Sequence, residues 1–239
     1  MTLDPYEFAR TVALSAAAYP PDVRDGLASG TPYQVDLREI ETHGLDLLEN
    51  WQIPQTNTEF YAGKNATGLE IVTRGTTNLP DWKQNLKASL VPWNAFVNPS
   101  MDVGAGRVHA GHSECCRSMA PVIRALLDAI PHLPICLRGH SLGGDISTQL
   151  GIAIAANNPQ RQVTVATIGS PRGGDRQYVE FGLSLHNLTI IRYWHLWDTI
   201  VRLPPWLMGY RHFPGTRIPR FGGHLCASYN ESANQILGD

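Results

Sequence analysis

Residues 135–145 read ICLRGHSLGGD, and the rest of the chain is best understood outward from them. A short apolar run ends in Arg138. Gly139-His140-Ser141-Leu142-Gly143 then fits Gly-x-Ser-x-Gly. The motif is short and occurs by chance in glycine-rich loops. It gains meaning when a strand precedes it and a helix follows, because a sharp strand-to-helix turn then lifts the serine hydroxyl clear of the backbone. Both conditions are met here. Residues 135–138 read as a short buried strand, and residues from Leu142 to about Ala156 read as a helix. The glycines suit a tight turn with unfavourable backbone angles and closely approaching segments.

The neighbouring segments repeat the alternation. Residues 59–75 read as two strands around a turn, with Asn65 and Gly68 supplying the turn chemistry. Met119, Val122, Ile123, Leu126, Leu127 and Ile130 recur at helical spacing, so a helix ends near Pro131, with Pro121 near its start or at a kink. Residues 163–169 read as a strand, 176–185 as a helix and 188–194 as a strand. Strands alternating with helices predict an α/β fold with a mostly parallel central sheet flanked by helices. The last forty residues are rich in Pro and Gly and read as loops over the sheet edge.

The chain has 239 residues, which fits one domain over residues 1–239. A net charge of −2 without a basic block argues against a nucleic-acid partner, which requires clustered Lys and Arg. Four cysteines, two of them adjacent (Cys115 and Cys116), do not make a disulfide framework and read as buried thiols. Near the N-terminus, Asp4 and Glu7 stand where a signal peptide needs positive charge, and Phe8, Val12 and Ala16 repeat as in an amphipathic helix. No signal peptide is therefore expected, which reads as a cytoplasmic protein or one exported without such a signal. No run approaches the roughly 18 apolar residues of a membrane span, so transmembrane anchoring is not expected either.

A serine is a weak nucleophile until a base, usually His, accepts its proton and an acid orients that base. Where the serine sits on such a turn, the chain order is Ser, acid, His. Asp198 follows the strand ending near Trp194 and can stand at the sheet's C-terminal edge. Asp175 precedes a helix and reads as its N-cap, and Glu180 lies mid-helix. Only His212 and His224 follow Asp198, and position alone does not choose between them.

Several blocks together resemble the class 3 lipases, the fungal-lipase-like branch of the α/β-hydrolases. VTRGTTNLPDWKQNL, VHAGH, GHSLGG, TIGSPRGGD, DTIVRLPP, GYRHFPG and GGHLCASY follow that family's order from about Ile71 to Tyr229. The resemblance implies an α/β-hydrolase fold and selects His224 as base, leaving His212 a structural or wall residue. It implies Asp198 as the acid, and an oxyanion hole made by Thr76 and the backbone N–H of Leu142. It further implies hydrolysis of acylglycerol or related esters, with no metal or cofactor. Phospholipase A1 or acyltransferase activity on the same site and an inactive lipase-like binding protein are the alternatives. The filled catalytic positions argue against the last. Departures from the family pattern are His112 for an aromatic, Trp197 for Asn, Val201 for Pro and Gly223 for Asp.

Residues 78–93 occupy the family's lid position. Leu79, Trp82, Leu86 and Leu90 fall at helical spacing, as a short helical lid with an apolar face for a lipid–water interface, or as a stripe packed permanently on the core. His109, His112, Cys115 and Cys116 have spacings that suggest zinc, but adjacent cysteines rarely share one metal and a family block already accounts for His109. No metal site is expected. Arg138 and Asp145 flank the turn. Neither charge should be buried alone, so they are expected to pair with each other or with nearby groups.

Overall fold

A computed structural model describes residues 2–19, 34–75, 89–93, 105–220 and 222–238. Its strands are β1 (Asp46–Ile53), β2 (Thr58–Lys64), β3 (Leu69–Thr73), β4 (Leu90–Pro92), β5 (Arg107–His109), β6 (Ile135–His140), β7 (Val163–Ile168), β8 (Leu188–Trp194) and β9 (Thr216–Arg217). The main sheet has the order β1-β2-β3-β6-β7-β8-β9. Pairing is antiparallel from β1 to β3 and parallel from β3 to β9. The α/β architecture with a mostly parallel centre is as expected. The β2–β3 turn closes as its residues predict, with the Asn65 carboxamide oxygen accepting from the backbone N–H groups of Thr67 and Gly68, each at 2.9 Å.

The helices are α1 (Pro5–Ala17), α2 (Leu37–Thr42), α3 (Ala110–Ala129), α4 (Leu142–Asn157), α5 (Arg176–Ser184) and α6 (Cys226–Leu237). Helices α3, α4 and α5 bury Met119, Ile123, Ile146, Leu150 and Val179 with Ile71, Leu137 and Val165 of the sheet. Helices α1 and α6 bury Phe8, Val12, Tyr229 and Ala233 with Ile168 and Tyr193 in a second cluster. Each large apolar side chain so buried contributes about 1.5–3 kcal/mol before entropy is subtracted. Asp4 caps α1, accepting from the N–H groups of Tyr6 and Glu7, and Asp175 caps α5 as expected.

Three expectations are corrected. Leu90 belongs to strand β4, paired with His109 of β5, and not to a lid helix. Pro92 supplies the reason, since it disfavours helical backbone at the residue before it and offers no N–H. Leu79, Trp82 and Leu86 lie outside the described residues. The last forty residues are not all loop, because α6 occupies Cys226–Leu237 and buries Cys226, Tyr229 and Ala233 at three- and four-residue spacing. Pro121 is not near the helix start, the first of its two readings, but lies inside α3, which starts back at Ala110 behind the capping side chain of His109.

Arg138 and Asp145 do not pair with each other. Arg138 is 3% exposed and points to the α1 face. Its Nε donates to Glu70 at 2.6 Å, and its Nη1 donates to Glu7 at 2.5 Å and to Thr11 Oγ1 at 2.6 Å. Arg10 donates to the other oxygen of Glu70 at 2.7 Å. Asp145 is held among α3, α4 and the 170s loop, where it lies 2.7 Å from His112 Nδ1 and accepts from Gln149 at 2.8 Å. Both charges therefore found nearby partners, each in its own cluster.

The network around Arg138 fastens α1 to the sheet, and its loss should be costly. Burial pushes the Glu70 carboxyl up, but Arg138 and Arg10 together outweigh it and hold the group below the ordinary value. Because the folded value is depressed, this contribution is present above the unfolded pKa of about 4.5 and fades as pH falls through the folded value. Arg138→Leu is expected to lower unfolding stability by about 3–5 kcal/mol at neutral pH, because it takes the guanidinium from Glu7 and leaves the buried Glu70 with Arg10 alone. Adding Glu7→Gln should recover part of the loss. Urea unfolding measures both, and a loss under about 1 kcal/mol would contradict the assignment.

Candidate active site

The turn after β6 is shaped by close approach. A Cβ on Gly139 would stand 2.4 Å from the Gly143 carbonyl oxygen, and one on Gly143 would stand 2.2 Å from the Thr73 carbonyl oxygen. Only hydrogen fits at either place. Between them Ser141 adopts φ 58° and ψ −129°, a conformation that costs a non-glycine residue about 1–3 kcal/mol. Its N–H donates to the Ile168 carbonyl at 3.1 Å, and its carbonyl accepts from Gly144 at 3.0 Å. These bonds hold the turn in place. Leu142 is the first residue of α4, where a helix leaves its backbone N–H groups without internal partners. Thr76 lies outside the described residues.

Ser141, His224 and Asp198 come together from three places in the chain. Ser141 Oγ is 2.7 Å from His224 Nε2. His224 Nδ1 is 2.9 Å from each Asp198 carboxylate oxygen. Asp198 is fully buried, and it also accepts from the Ile200 N–H at 3.0 Å and from the Tyr229 hydroxyl at 2.8 Å. Burial alone would raise its pKa. His224 and then Tyr229 outweigh that effect and hold the carboxyl below its ordinary value. An ionised Asp198 keeps the proton on His224 Nδ1, which leaves Nε2 free to accept from the serine hydroxyl.

Two further residues position this group, and neither stood out in the sequence. His140 Nε2 lies 2.6 Å from the His224 carbonyl oxygen, and its Nδ1 lies 2.8 Å from the Tyr19 hydroxyl. Tyr19 in turn accepts from the Gly75 N–H at 3.1 Å. Burial, then the neighbouring His224, push the His140 pKa down to about 3, so the ring is neutral. It carries its proton on Nε2, donates to the His224 carbonyl and accepts from Tyr19. His195, stacked on Tyr229 at 4.0 Å, reaches the Gly223 carbonyl at 3.2 Å and braces the segment before His224. The signal for His140 was its place inside the motif, but the partners it joins lie 84 and 121 positions away.

The other candidates lie elsewhere. His212 Nε2 approaches the Val201 carbonyl and Arg192, not Ser141. His109 and His112 stack on each other at 3.9 Å, with His112 held by Asp145. Among the described residues no group of three or more His, Cys, Asp or Glu side chains is placed to hold a metal ion. None of the four cysteines is joined in a disulfide among the described residues.

A parallel sheet with a serine at a strained strand-to-helix turn, facing an imidazole and a buried carboxylate, is the architecture of the α/β-hydrolases. Within that class the chain belongs to the class 3 lipase family, whose model, described as Lipase (class 3), matches residues 70–208. The chain is 29% identical over 165 residues to the secreted mono- and diacylglycerol lipase 1 of Fusarium solani, a match covering 66% of this chain and 46% of that protein. It is 28% identical over 163 residues to phospholipase A1-II 3 of japonica rice, covering 57% of this chain and 39% of that one. The chain thus spans under half the length of these curated relatives. In fold it matches lipase II from Rhizopus niveus with a TM-score of 0.74 at 20% identity, over 92% of this chain and 82% of that one.

His109, 4% exposed, is likewise pushed down to about 3 by burial and by His112. Unfolded histidines take up a proton near pH 6.5, while these two stay neutral in the fold. Between about pH 6.5 and 3 the unfolded state therefore binds more protons, and stability falls as pH falls, by about 1.4 kcal/mol per pH unit for each histidine. NMR titration of labelled protein checks the assignment: the His140 ring resonances are expected to stay unshifted from pH 8 to pH 5. A His140 midpoint near 6.5 would show that the ring charges freely and that the Tyr19–His140–His224 chain is wrongly drawn.

Proposed function

We propose that the protein is a carboxylic ester hydrolase acting on acylglycerols or related lipids, on a single α/β-hydrolase domain over residues 1–239, through an acyl-serine intermediate. The observation that carries this reading is the 2.7 Å approach of Ser141 Oγ to His224 Nε2, with Asp198 behind the imidazole. In this reading His224 takes the Ser141 proton as the hydroxyl attacks the ester carbonyl. Asp198 fixes the tautomer and stabilises the imidazolium. The N–H groups of Leu142 and Thr76 receive the oxyanion, a contribution worth about 10²–10³ in rate for each donor. His224 then protonates the leaving alcohol, and water repeats the sequence in reverse to free the acid. No cofactor takes part.

A lipid substrate is favoured by what surrounds the group. Trp197, just before Asp198, is 63% exposed, and Leu225, just after His224, is 41% exposed. Trp206 and Leu207 are exposed as well, at 60% and 78%. Apolar side chains left in water beside the partners of Ser141 suit a substrate met at a lipid–water interface. Among the described residues no helix is long and apolar enough to cross a membrane. The family and the named activities of the Fusarium and rice relatives point the same way. Phospholipase A1 activity would use the same acyl-serine.

A fluorophosphonate probe is expected to label wild type and to leave Ser141→Ala unlabelled. Asp198→Asn should reduce kcat by about 10⁴-fold, and His224→Ala should be comparably impaired, while His212→Ala keeps its chemistry. Hydrolysis of emulsified triacylglycerol against a chain-length series of p-nitrophenyl esters separates lipase from esterase. A folded protein that never labels would sink the reading, and activity surviving in His224→Ala but lost in His212→Ala would overturn the choice of base.

A further inference from the structure

Arg192 is a buried cation. It stands in β8, is 7% exposed, and its Nε has no hydrogen-bond partner. Its Nη2 lies 3.2 Å from His212 Nε2, which also approaches the Val201 carbonyl. One ring nitrogen cannot both accept from the guanidinium and donate to the carbonyl, so one of the two groups is short of a partner. Its guanidinium also lies over the face of Trp194, 5.9 Å from the ring centre. No carboxylate pairs with it among the described residues.

Arg192 lines a cavity of about 490 Å³ that it shares with Arg172, Arg202, His212, Trp194 and Trp206. Arg172 and Arg202 also spend their hydrogen bonds on neutral groups, Arg172 on the carbonyls of Arg202 and Pro204, and Arg202 on that of Leu196. Among the described residues no acidic side chain lines the cavity. Burial pushes the Arg192 pKa down to about 10, with Arg172 adding to the shift and Tyr229 and Asp198 opposing it only in part. Arg172 follows the end of β7, Trp194 ends β8 and Arg202 lies just past Asp198, so the cavity is lined from the C-terminal ends of the parallel strands.

We infer that this cavity is a phosphate-binding site, in which Arg192, Arg172 and Arg202 grip one phosphate group and the tryptophans flank what it is attached to. Guanidinium forks match phosphate oxygens in pairs, and such charge-assisted bonds are about twice as strong as neutral ones. Convergent cations without an acid fit an anion that arrives from outside. The source is either the headgroup of a phospholipid or free phosphate. The site does not depend on the role of Ser141, and its test avoids turnover.

Calorimetric titrations on Ser141→Ala protein test it, with inorganic phosphate in one arm. In the second arm, monomeric dihexanoyl phosphatidylcholine is compared with dihexanoylglycerol, which lacks the phosphate. Saturable binding of phosphate, or a preference for the phosphate-bearing lipid, is expected, and Arg202→Gln and Arg192→Gln should each weaken it about tenfold or more. Arg202 is exposed, so its variant keeps the test sound should Arg192→Gln fold poorly. Phosphate binding without a lipid preference assigns a free-anion site, and a preference erased by the arginine variants assigns a headgroup site. Absence of binding in both arms, or variants that bind as the parent does, would overturn the inference.

Discussion

The strained backbone of Ser141 is the constraint on which the rest is arranged. At φ 58° the residue is held where a side chain is unwelcome, and two glycines on either side are pressed against carbonyl oxygens of β3 and α4. The strain is sustained because everything around it is over-determined. β6 lies between β3 and β7 in parallel register, and α4 is buried along nearly all its length. A turn of this kind cannot relax without pulling a central strand out of register, and a one-residue slip would send every side chain of that strand to the wrong face. The geometry that presents the hydroxyl is therefore stored in the sheet, not in the loop.

The three proposed catalytic residues would still be only loosely related without the hydrogen bonds behind them. His224 sits in a short segment between β9 and α6, with no strand or long helix of its own to hold it. Its position comes from its neighbours. Tyr229 on α6 bonds Asp198, His195 braces Gly223, and neutral His140 clasps the His224 carbonyl. The last of these starts from the turn of Ser141 itself, so Ser141 and His224 are held from both ends. Through Tyr19 the same chain reaches Gly75, directly before Thr76. A site assembled from distant segments needs such bracing, because an imidazole displaced by about 1 Å loses much of the benefit of orientation.

What could be read from the sequence divides along physical lines. β3, β6, β7 and β8 were legible because strands flanked by helices on both faces read as apolar runs, and the elbow was legible because close approach demands glycine. Ser141 and Asp198 followed from chain order. His224 did not, since His212 sits in equally loop-like sequence, and only the family resemblance separated them. β1 was not read because it is an edge strand whose residues are mostly half-exposed or exposed. The tail helix α6 was obscured by the Pro- and Gly-rich stretch before it, although Cys226, Tyr229 and Ala233 carried its period. The partners of Arg138 and Asp145 were out of reach, because pairing across 68 or 33 residues is set by the fold and leaves no local pattern.

Two buried arginines, on strands separated only by β7, show how the same residue serves opposite ends. Arg138 and Arg192 are both more than nine-tenths buried, and each loses the hydration that keeps an ion inexpensive. For Arg138 the loss is offset inside the protein, and Glu70 and Glu7 raise its pKa above the ordinary value despite burial. The result is a clasp between α1 and the sheet, complete without any ligand. Arg192 makes no ion pair among the described residues, and burial outweighs the pull of Tyr229 and Asp198, so its pKa falls. Isolated burial of a charge is costly enough that the usual outcomes are pairing or loss of charge, and a guanidinium resists losing its charge. Stability alone would favour an apolar residue at that point of β8. The arginine is better accounted for by something that visits the cavity than by anything the fold itself needs.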